Sequence, residues 1–219
     1  DHKSMIVALQ SGEIQQGESI DIILGDRSGG GGGLRSQTFY DPRRNFLCEV
    51  YPTGDTGDGT HGSATKATLE IAGGDIDSLS AIAPSDIELG APFAIQLKIS
   101  DRWGNPAQKY RGKVEVRAPG LILPDGNDIE FGEDDAGVRR IEGATFSEAG
   151  ATRVELEDKE NGLVASSNQI RIAQDLPALK LYWGDPHSGQ VADASKIGEY
   201  FDYARDVSAL DFAGYQRND

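Results

Sequence analysis

The sequence predicts a mainly β protein in which antiparallel sandwich regions are followed by one truncated β-α-β unit. Short runs rich in β-branched and aromatic residues recur along the first 175 positions, separated by glycine-rich or charged segments. No run with helical periodicity interrupts them in the first 74 residues. Near the C-terminus an amphipathic helix pattern follows, flanked by two further strand patterns.

Length and charge limit the classes of function. The chain has 219 residues, which is enough for two ordinary domains. Its formal charge of −15 repels phosphate backbones and anionic lipid, so no nucleic-acid partner is predicted. No stretch approaches the ~20 apolar residues of a spanning helix, so no membrane insertion is predicted. The compartment stays open between cytoplasmic and exported.

Residues 1–75 are predicted to form a β-rich region. Within it, residues 25–33 are rich in glycine, but they lack the GK[ST] ending of a phosphate loop and precede a strand pattern. A flexible connection between strands is therefore favoured over an anion site. The candidate strands are residues 5–9, 19–24, 37–40, 46–51 and 67–71.

Two side chains of this region invite a chemical role. Cys48 is the one cysteine, so it cannot form an internal disulfide, and its apolar surroundings in sequence predict a small buried hydrophobe. His61 lies in a glycine-rich stretch, which favours a solvated loop histidine over a metal ligand.

Residues 76–175 show clearer strand alternation. Residues 93–99 place apolar side chains on one face and Gln96 and Lys98 on the other, which predicts a half-buried strand. A Gly-Asn-Pro turn follows, and Trp103 before it is predicted to pack at the sandwich edge, with sugar stacking as the alternative. Further strands are predicted at residues 112–117, 144–146, 151–156 and 169–172, a spacing typical of an antiparallel sandwich.

Residues 176–219 read as a strand, a polar turn, a helix and a second strand. The first strand, residues 179–183, leads to Asp185 and His187, and the second spans residues 210–215. Asp193 and Ser195 are candidate N-caps of the helix. The apolar positions that define one helix face are Ile197, Tyr200, Phe201, Ala204 and Val207.

Several motifs together resemble a known family. The run IQLKISDRWGNPAQKYRGKVEV resembles immunoglobulin-like modules of bacterial proteins, in which a strand ends in an Asp-x-x-Gly-Asn-Pro turn. With LGDRSGG, SNQIRI, YWGDPHSGQ and YFDYARDVSALDF, it resembles an uncharacterised bacterial family within the polymerase-and-histidinol-phosphatase (PHP) metal-hydrolase superfamily. The resemblance covers nearly the whole chain. It implies an immunoglobulin-like sandwich at 76–175 and the start of a PHP-like α/β hydrolase domain at 176–219.

The resemblance also implies a metal site after the first strand. In the superfamily this loop carries a His-x-His pair; His187 matches its first histidine, whereas Gly189 stands at the second. The following Gln190 offers a carbonyl oxygen as a replacement ligand. Asp185 is either a further ligand or a turn residue that orients the loop.

The end of the second strand completes the implied site. Asn218 and Asp219 match the position of a further superfamily ligand. Asp219 is expected to act as an anionic ligand or as the general base, and Asn218 as a hydrogen-bond donor or weak ligand. A divalent metal, Mn, Fe or Zn, is expected in the intact protein, with no metal in this fragment as the alternative.

The resemblance implies a metal-dependent hydrolase of phosphate esters or other small molecules, of which this chain is an inactive N-terminal fragment. A hydrolase of this kind needs ligands from several strand ends. The alternative is a non-catalytic sandwich module that binds carbohydrate or a cell surface, or that shapes the cleft of the hydrolase. The last forty or so residues expose apolar surface and are predicted to dock on the sandwich or to pair with another chain as a homo-oligomer.

Overall fold

The computed structural model describes residues 5–51, 63–187 and 194–216. Contacts divide the chain into two compact units, Asp1–Ile71 and Ala72–Asp219. Within the described ranges, no helix combines the length and the apolar character that crossing a membrane requires. His61 lies outside the described residues.

The first unit contains an antiparallel hairpin of β1 (Asp41–Val50) and β2 (Ser63–Ile71). The predicted strands at 46–51 and 67–71 fall within this hairpin and are confirmed in outline. The predicted strands at 5–9, 19–24 and 37–40 are wrong, because residues 5–40 contain no strand. Strand propensity expresses packing against neighbouring strands, and these runs have no such neighbour in the structure.

The hairpin also corrects the prediction for Cys48. Cys48 lies opposite Thr65 in the ladder and is exposed rather than buried. Among the described residues of this unit, no second layer of structure covers the apolar side chains of the two-stranded ribbon. The glycine-rich residues 25–33 form turns, in which the Asp26 carboxylate accepts the backbone N–H of Ser28 at 2.9 Å, and no helix follows.

Three sheets build the β-rich part of the second unit. The first sheet runs in the order β3 (Ser78–Ile82), β5 (Phe93–Ser100), β9 (Val138–Phe146), β7 (Leu121–Ile122). The second runs β12 (Leu163–Ser166), β11 (Glu155–Asp158), β6 (Lys113–Arg117), β8 (Asp128–Glu130). The third is β10 (Gly150–Thr152), β13 (Ile170–Ala173), β4 (Asp86–Glu88), in which the last pair is parallel.

Together the sheets form a β-sandwich around one apolar core. Ile95 and Leu97 on β5 and Val114 on β6 are at most 1% exposed, which confirms the alternation read from residues 93–99. The predicted single strand at 151–156 is instead β10 and β11, which belong to different sheets. Val154, 0% exposed, lies in the core where the chain crosses between them.

A short β-α-β unit follows the sandwich. It comprises β14 (Gly184–Asp185), a 3-10 turn (Ala194–Lys196), helix α1 (Ile197–Asp206) and β15 (Phe212–Ala213), with β14 and β15 parallel. The predicted β-α-β unit is confirmed, but residues 179–183 are not a strand, and both strands have only two residues. Parallel strands depend on further neighbours in a sheet, and a two-stranded sheet supports only a short ladder.

The start of α1 also differs from the prediction. Lys196 occupies the N-cap position and makes no side-chain capping bond, while Ser195 lies in the preceding 3-10 turn. Asp193, the other candidate N-cap, lies outside the described residues.

The C-terminal segment contacts the outer face of the first sheet, the first of the two predicted alternatives, and pairing with another chain stays a prediction. Gln96 is 4% exposed, because the end of α1 covers it and its amide donates a hydrogen bond to the Asp206 carbonyl. At the end of the sandwich, the Trp183 indole N–H donates to Ser85 Oγ at 2.9 Å. The outer face of β5 is therefore partly covered rather than fully solvated.

Candidate functional site

The two parallel strands bring their carboxyl ends side by side. Asp185 at the end of β14 pairs with Ala213, and the Asp185 carbonyl accepts the backbone N–H of Gly214 at 2.7 Å. Strand ends of this kind are where open α/β sheets hold ligands. The polar residues that follow β14 and β15 therefore share one edge of the unit.

Two glycines allow this close approach. A Cβ atom on Gly184 would overlap the carbonyl and ring of Phe212, and one on Gly214 would overlap the Pro186 carbonyl. Neither position has a left-handed backbone, so the requirement for glycine is steric. The sequence Gly184-Asp185-Pro186 thus places the turn directly against the following strand.

Asp185 organises the turn that carries His187. Its Oδ1 accepts the His187 backbone N–H at 2.9 Å, the geometry of an Asx turn. This contact agrees with the turn interpretation of Asp185. Its role as a metal ligand remains a prediction.

His187 meets a residue that sequence reasoning missed. The Gln216 side-chain Nε2 lies 2.7 Å from His187 Nδ1. Gln216 follows β15 and precedes Asn218 by two positions. The argument that selected Asn218 and Asp219, that polar residues after a strand form sites, therefore applies to Gln216 as well. The bond joins the polar residues of both strand ends.

The tautomer of His187 decides what its ring can bind. Ligation of a metal through Nε2 requires the ring proton on Nδ1, which must then donate to an acceptor. Gln216 supplies that acceptor when its amide presents the oxygen, a 180° rotation that exchanges oxygen and nitrogen. The pair is compatible with a ligating histidine in that orientation.

The rest of the implied ligand set lies outside the described residues. These residues are Gln190, Asn218 and Asp219, together with Gly189, which replaces the second histidine. Among residues 5–51, 63–187 and 194–216, no group of three or more His, Cys, Asp or Glu side chains could hold a metal ion. Asp185 and His187 by themselves are therefore not a complete metal centre, and their role as ligands stays a prediction.

Hydrogen bonds on both sides hold the strand pair. The Asp211 carboxylate accepts the Trp183 backbone N–H at 2.7 Å, and the Asp211 N–H donates to the Trp183 carbonyl at 2.7 Å. The Tyr200 hydroxyl of α1 donates to the Gly214 carbonyl at 3.1 Å. The helix and the loop before β15 thus fix the backbone that leads to Asp185 and His187.

Trp103 is not packed at the sandwich edge. It is 59% exposed, with the Arg102 guanidinium 5.1 Å from its ring centre, so the packing prediction is wrong. The turn is held instead by Asp101, whose carboxylate accepts the Trp103 and Asn105 backbone N–H groups. The sugar-stacking alternative for Trp103 stays a prediction.

Comparison with known proteins identifies distant relatives of the chain. No protein-family model matches it. An uncharacterised protein of Chlamydia muridarum is 25% identical over 210 residues, and one of Chlamydia trachomatis serovar D is 24% identical over the same length. These matches cover 91% of the chain and 32% of each relative, so the chain spans about a third of their length.

Solved structures with similar β domains are also distant. A glycosyl hydrolase family 2 member from Bacteroides cellulosilyticus has a TM-score of 0.40 and 17% identity, over 58% of this chain and 17% of that one. The D0-D1 domain of Intimin has a TM-score of 0.32 and 10% identity, over 60% of this chain and 63% of that one. At this level of similarity, neither structure indicates an activity for the chain.

Proposed function

We propose that this chain is the N-terminal part of a PHP-like metal-dependent hydrolase that acts on phosphate esters, and that the chain alone is inactive. One observation carries the proposal. The sequence after β14 and the sequence after β15 place polar residues at the same edge of a parallel pair, where His187 and Gln216 are in contact. This is the arrangement from which α/β enzymes build metal and substrate sites.

The surface of the β-α-β unit also favours a larger domain. Parallel sheets are normally covered on both faces and contain more than two strands. Here apolar side chains remain 39–87% exposed on the unit and the segment leading into it: Leu179, Leu181, Tyr182, Trp183, Phe201, Tyr203 and Phe212. Further strands and helices of a longer polypeptide would cover them, and the matched relatives are about three times as long as the aligned region.

The residues that would hold the metal are His187 and Asp185, with Gln190, Asn218 and Asp219 from the adjoining segments. Imidazole and carboxylate donors suit Mn, Fe or Zn. When bound, such a metal lowers the pKa of a coordinated water and neutralises charge on a phosphoryl group. Asp219 would serve as ligand or general base, and Gln216 would orient the His187 ring.

Elemental analysis of the longest natural polypeptide that contains this chain tests the proposal. We expect near-stoichiometric Mn, Fe or Zn and hydrolysis of p-nitrophenyl phosphate. H187A should lower metal content and rate at least tenfold. H61A is the matched control, because His61 is the loop histidine that the motif does not include. A metal-free, inactive wild-type protein would contradict the proposal.

The second candidate is a non-catalytic module that binds carbohydrate or a cell surface. Its support is that the sandwich has its own apolar core and presents Trp103, 59% exposed, on a surface turn. A glycan array with the 219-residue chain tests this candidate. The wild type is compared with W103A, in which Trp183 is unchanged. Tight glycan binding by a metal-free protein, lost in W103A, would favour this candidate.

A further inference from the structure

We propose that Ser85 and Asn168 of the sandwich are positioning residues for the strand-end pair Asp185 and His187, acting through the indole of Trp183. The functional meaning of that pair rests on the function proposed above. The mechanical connection rests on the hydrogen bonds of the structure alone. Neither Ser85 nor Trp183 belongs to the ligand set, and the two are 98 positions apart in sequence.

The sandwich end of the connection is rigidly held. Ser85 is 8% exposed, and its Oγ accepts hydrogen bonds from the Trp183 indole at 2.9 Å and from Asn168 Nδ2 at 3.2 Å. Asn168 also binds both backbone groups of Ala83, at 3.0 and 2.9 Å. The Ser85 carbonyl accepts the Arg171 N–H of β13 at 2.8 Å. The hydroxyl that receives Trp183 is therefore fixed by two segments of the sandwich.

The other end of the connection is the start of β14. Trp183 directly precedes Gly184, and its backbone N–H and C=O are both bonded to Asp211. The side chain and main chain of one residue thus tie β14 to the sandwich and to the segment before β15. Asp185 and His187 lie two and four residues beyond this anchor.

Trp183 is suited to this task because of its partial exposure. The indole is 47% exposed, so its apolar burial alone gives it a weak preference for one orientation. A hydrogen bond to a buried acceptor adds direction, which apolar contact lacks. Trp183→Phe keeps one six-membered aromatic ring and removes the N–H that donates the directional bond, together with part of the ring area.

Amide hydrogen exchange on the 219-residue chain tests the connection directly. In S85A and in W183F, the amides of Asp211 and Gly214, which bond to the carbonyls of Trp183 and Asp185, should exchange about tenfold faster. The Ile99 amide of β5, bonded to the Gly137 carbonyl, should be unchanged. Both substitutions remove the same hydrogen bond, the one between Trp183 and Ser85. The amides of Asp211 and Gly214 should therefore exchange no faster in the double variant than in either single variant.

Ser80→Ala is the matched control. Ser80 is a serine of the same sandwich, on β3, whose hydroxyl lies 3.5 Å from the Lys98 carbonyl, so its removal leaves the bond between Ser85 and Trp183 in place. S80A should leave Asp211 and Gly214 exchange at the wild-type rate. Unchanged exchange in W183F, or an equal increase at Ile99, would overturn the connection.

Metal affinity separates positioning from mere stability. In the longest natural polypeptide that contains this chain, W183F should weaken Mn²⁺ binding about tenfold by isothermal titration calorimetry, with an unchanged melting temperature of the sandwich. Faster exchange with unchanged Mn²⁺ affinity would overturn the positioning role. A wild-type protein that binds no Mn²⁺ would overturn the proposed function instead, and the exchange result would still decide the connection.

Discussion

Two aspartates in this chain form the same local turn in opposite surroundings. Asp101, after β5, and Asp185, at the end of β14, each accept the backbone N–H of the residue two positions on, at 2.8 and 2.9 Å. Asp101 is 4% exposed, and its carboxylate also receives bonds from Gly74 and Asn105. Asp185 lies at an exposed strand end beside His187.

The difference teaches what each turn can do. Burial raises the pKa of Asp101, but the bonds from Asn105, Gly74 and Trp103 outweigh it and hold the pKa at about 2. The hydrogen bonds of the Asp101 carboxylate stabilise the sandwich. The Asp185 turn is not enclosed by a core. Its polar neighbours therefore lie at an accessible edge, which suits a binding site.

The largest effect is expected at a second buried carboxylate. Asp158 is 0% exposed and accepts the Tyr110 hydroxyl at 2.7 Å and the Asn161 amide at 2.7 Å. D158A strands both donors and should lower the free energy of unfolding by about 3 kcal/mol, measured by urea unfolding. D128A, which removes an exposed salt bridge to Lys113, should cost about 0.5 kcal/mol or less. Equal losses of unfolding free energy in D158A and D128A would contradict the stabilising role of the buried Asp158 carboxylate.

The next effect is acid sensitivity at Asp101. Its folded pKa of about 2 lies below the ordinary value of 3.8, so its stabilisation is present above about pH 4 and is lost as the pH falls toward 2. Between pH 5 and pH 2 the wild type should lose about 2 kcal/mol more stability than D101N. Urea unfolding across this pH range measures the difference. A D101N variant whose stability falls as steeply with pH as that of the wild type would contradict the assignment to Asp101.

Effects confined to the β-α-β unit are expected at two glycines, and they differ in sign. G214A should push β15 from Pro186 and destabilise the unit locally by about 1–3 kcal/mol, seen as faster exchange of the Asp211 amide. G198A adds a methyl group in open space on α1 and should stabilise the helix by up to ~1 kcal/mol. The sandwich should retain its stability in both. If G214A also destabilised the sandwich, the sandwich and the β-α-β unit would not unfold independently of each other.

Local patterns predicted much of the fold. The alternation at residues 93–99 identified the central core strand, and the apolar spacing from Ile197 to Val207 identified α1. Alternation failed for residues 5–40, where strand-like composition occurs without partner strands. It also failed at residues 151–156, where one continuous pattern is divided between two sheets.

The candidate site was predicted only in part. Asp185 and His187 were chosen from a strand-turn motif, and the structure places them at the end of β14. Gln216 was missed although it follows the second strand, and Ser85 carried no local signal at all. Gln190, Asn218 and Asp219 remain predictions.

The sequence by itself determined the mainly β class, the helix and the turn residues, because periodicity and turn chemistry act over a few neighbouring positions. Only the tertiary structure decided which strands pair, why Gln96 is buried, and that Ser85 holds Trp183. These outcomes depend on contacts between residues about 100 positions apart, such as Gln96 with Asp206. Such contacts follow from the packing of whole sheets, which no local pattern encodes.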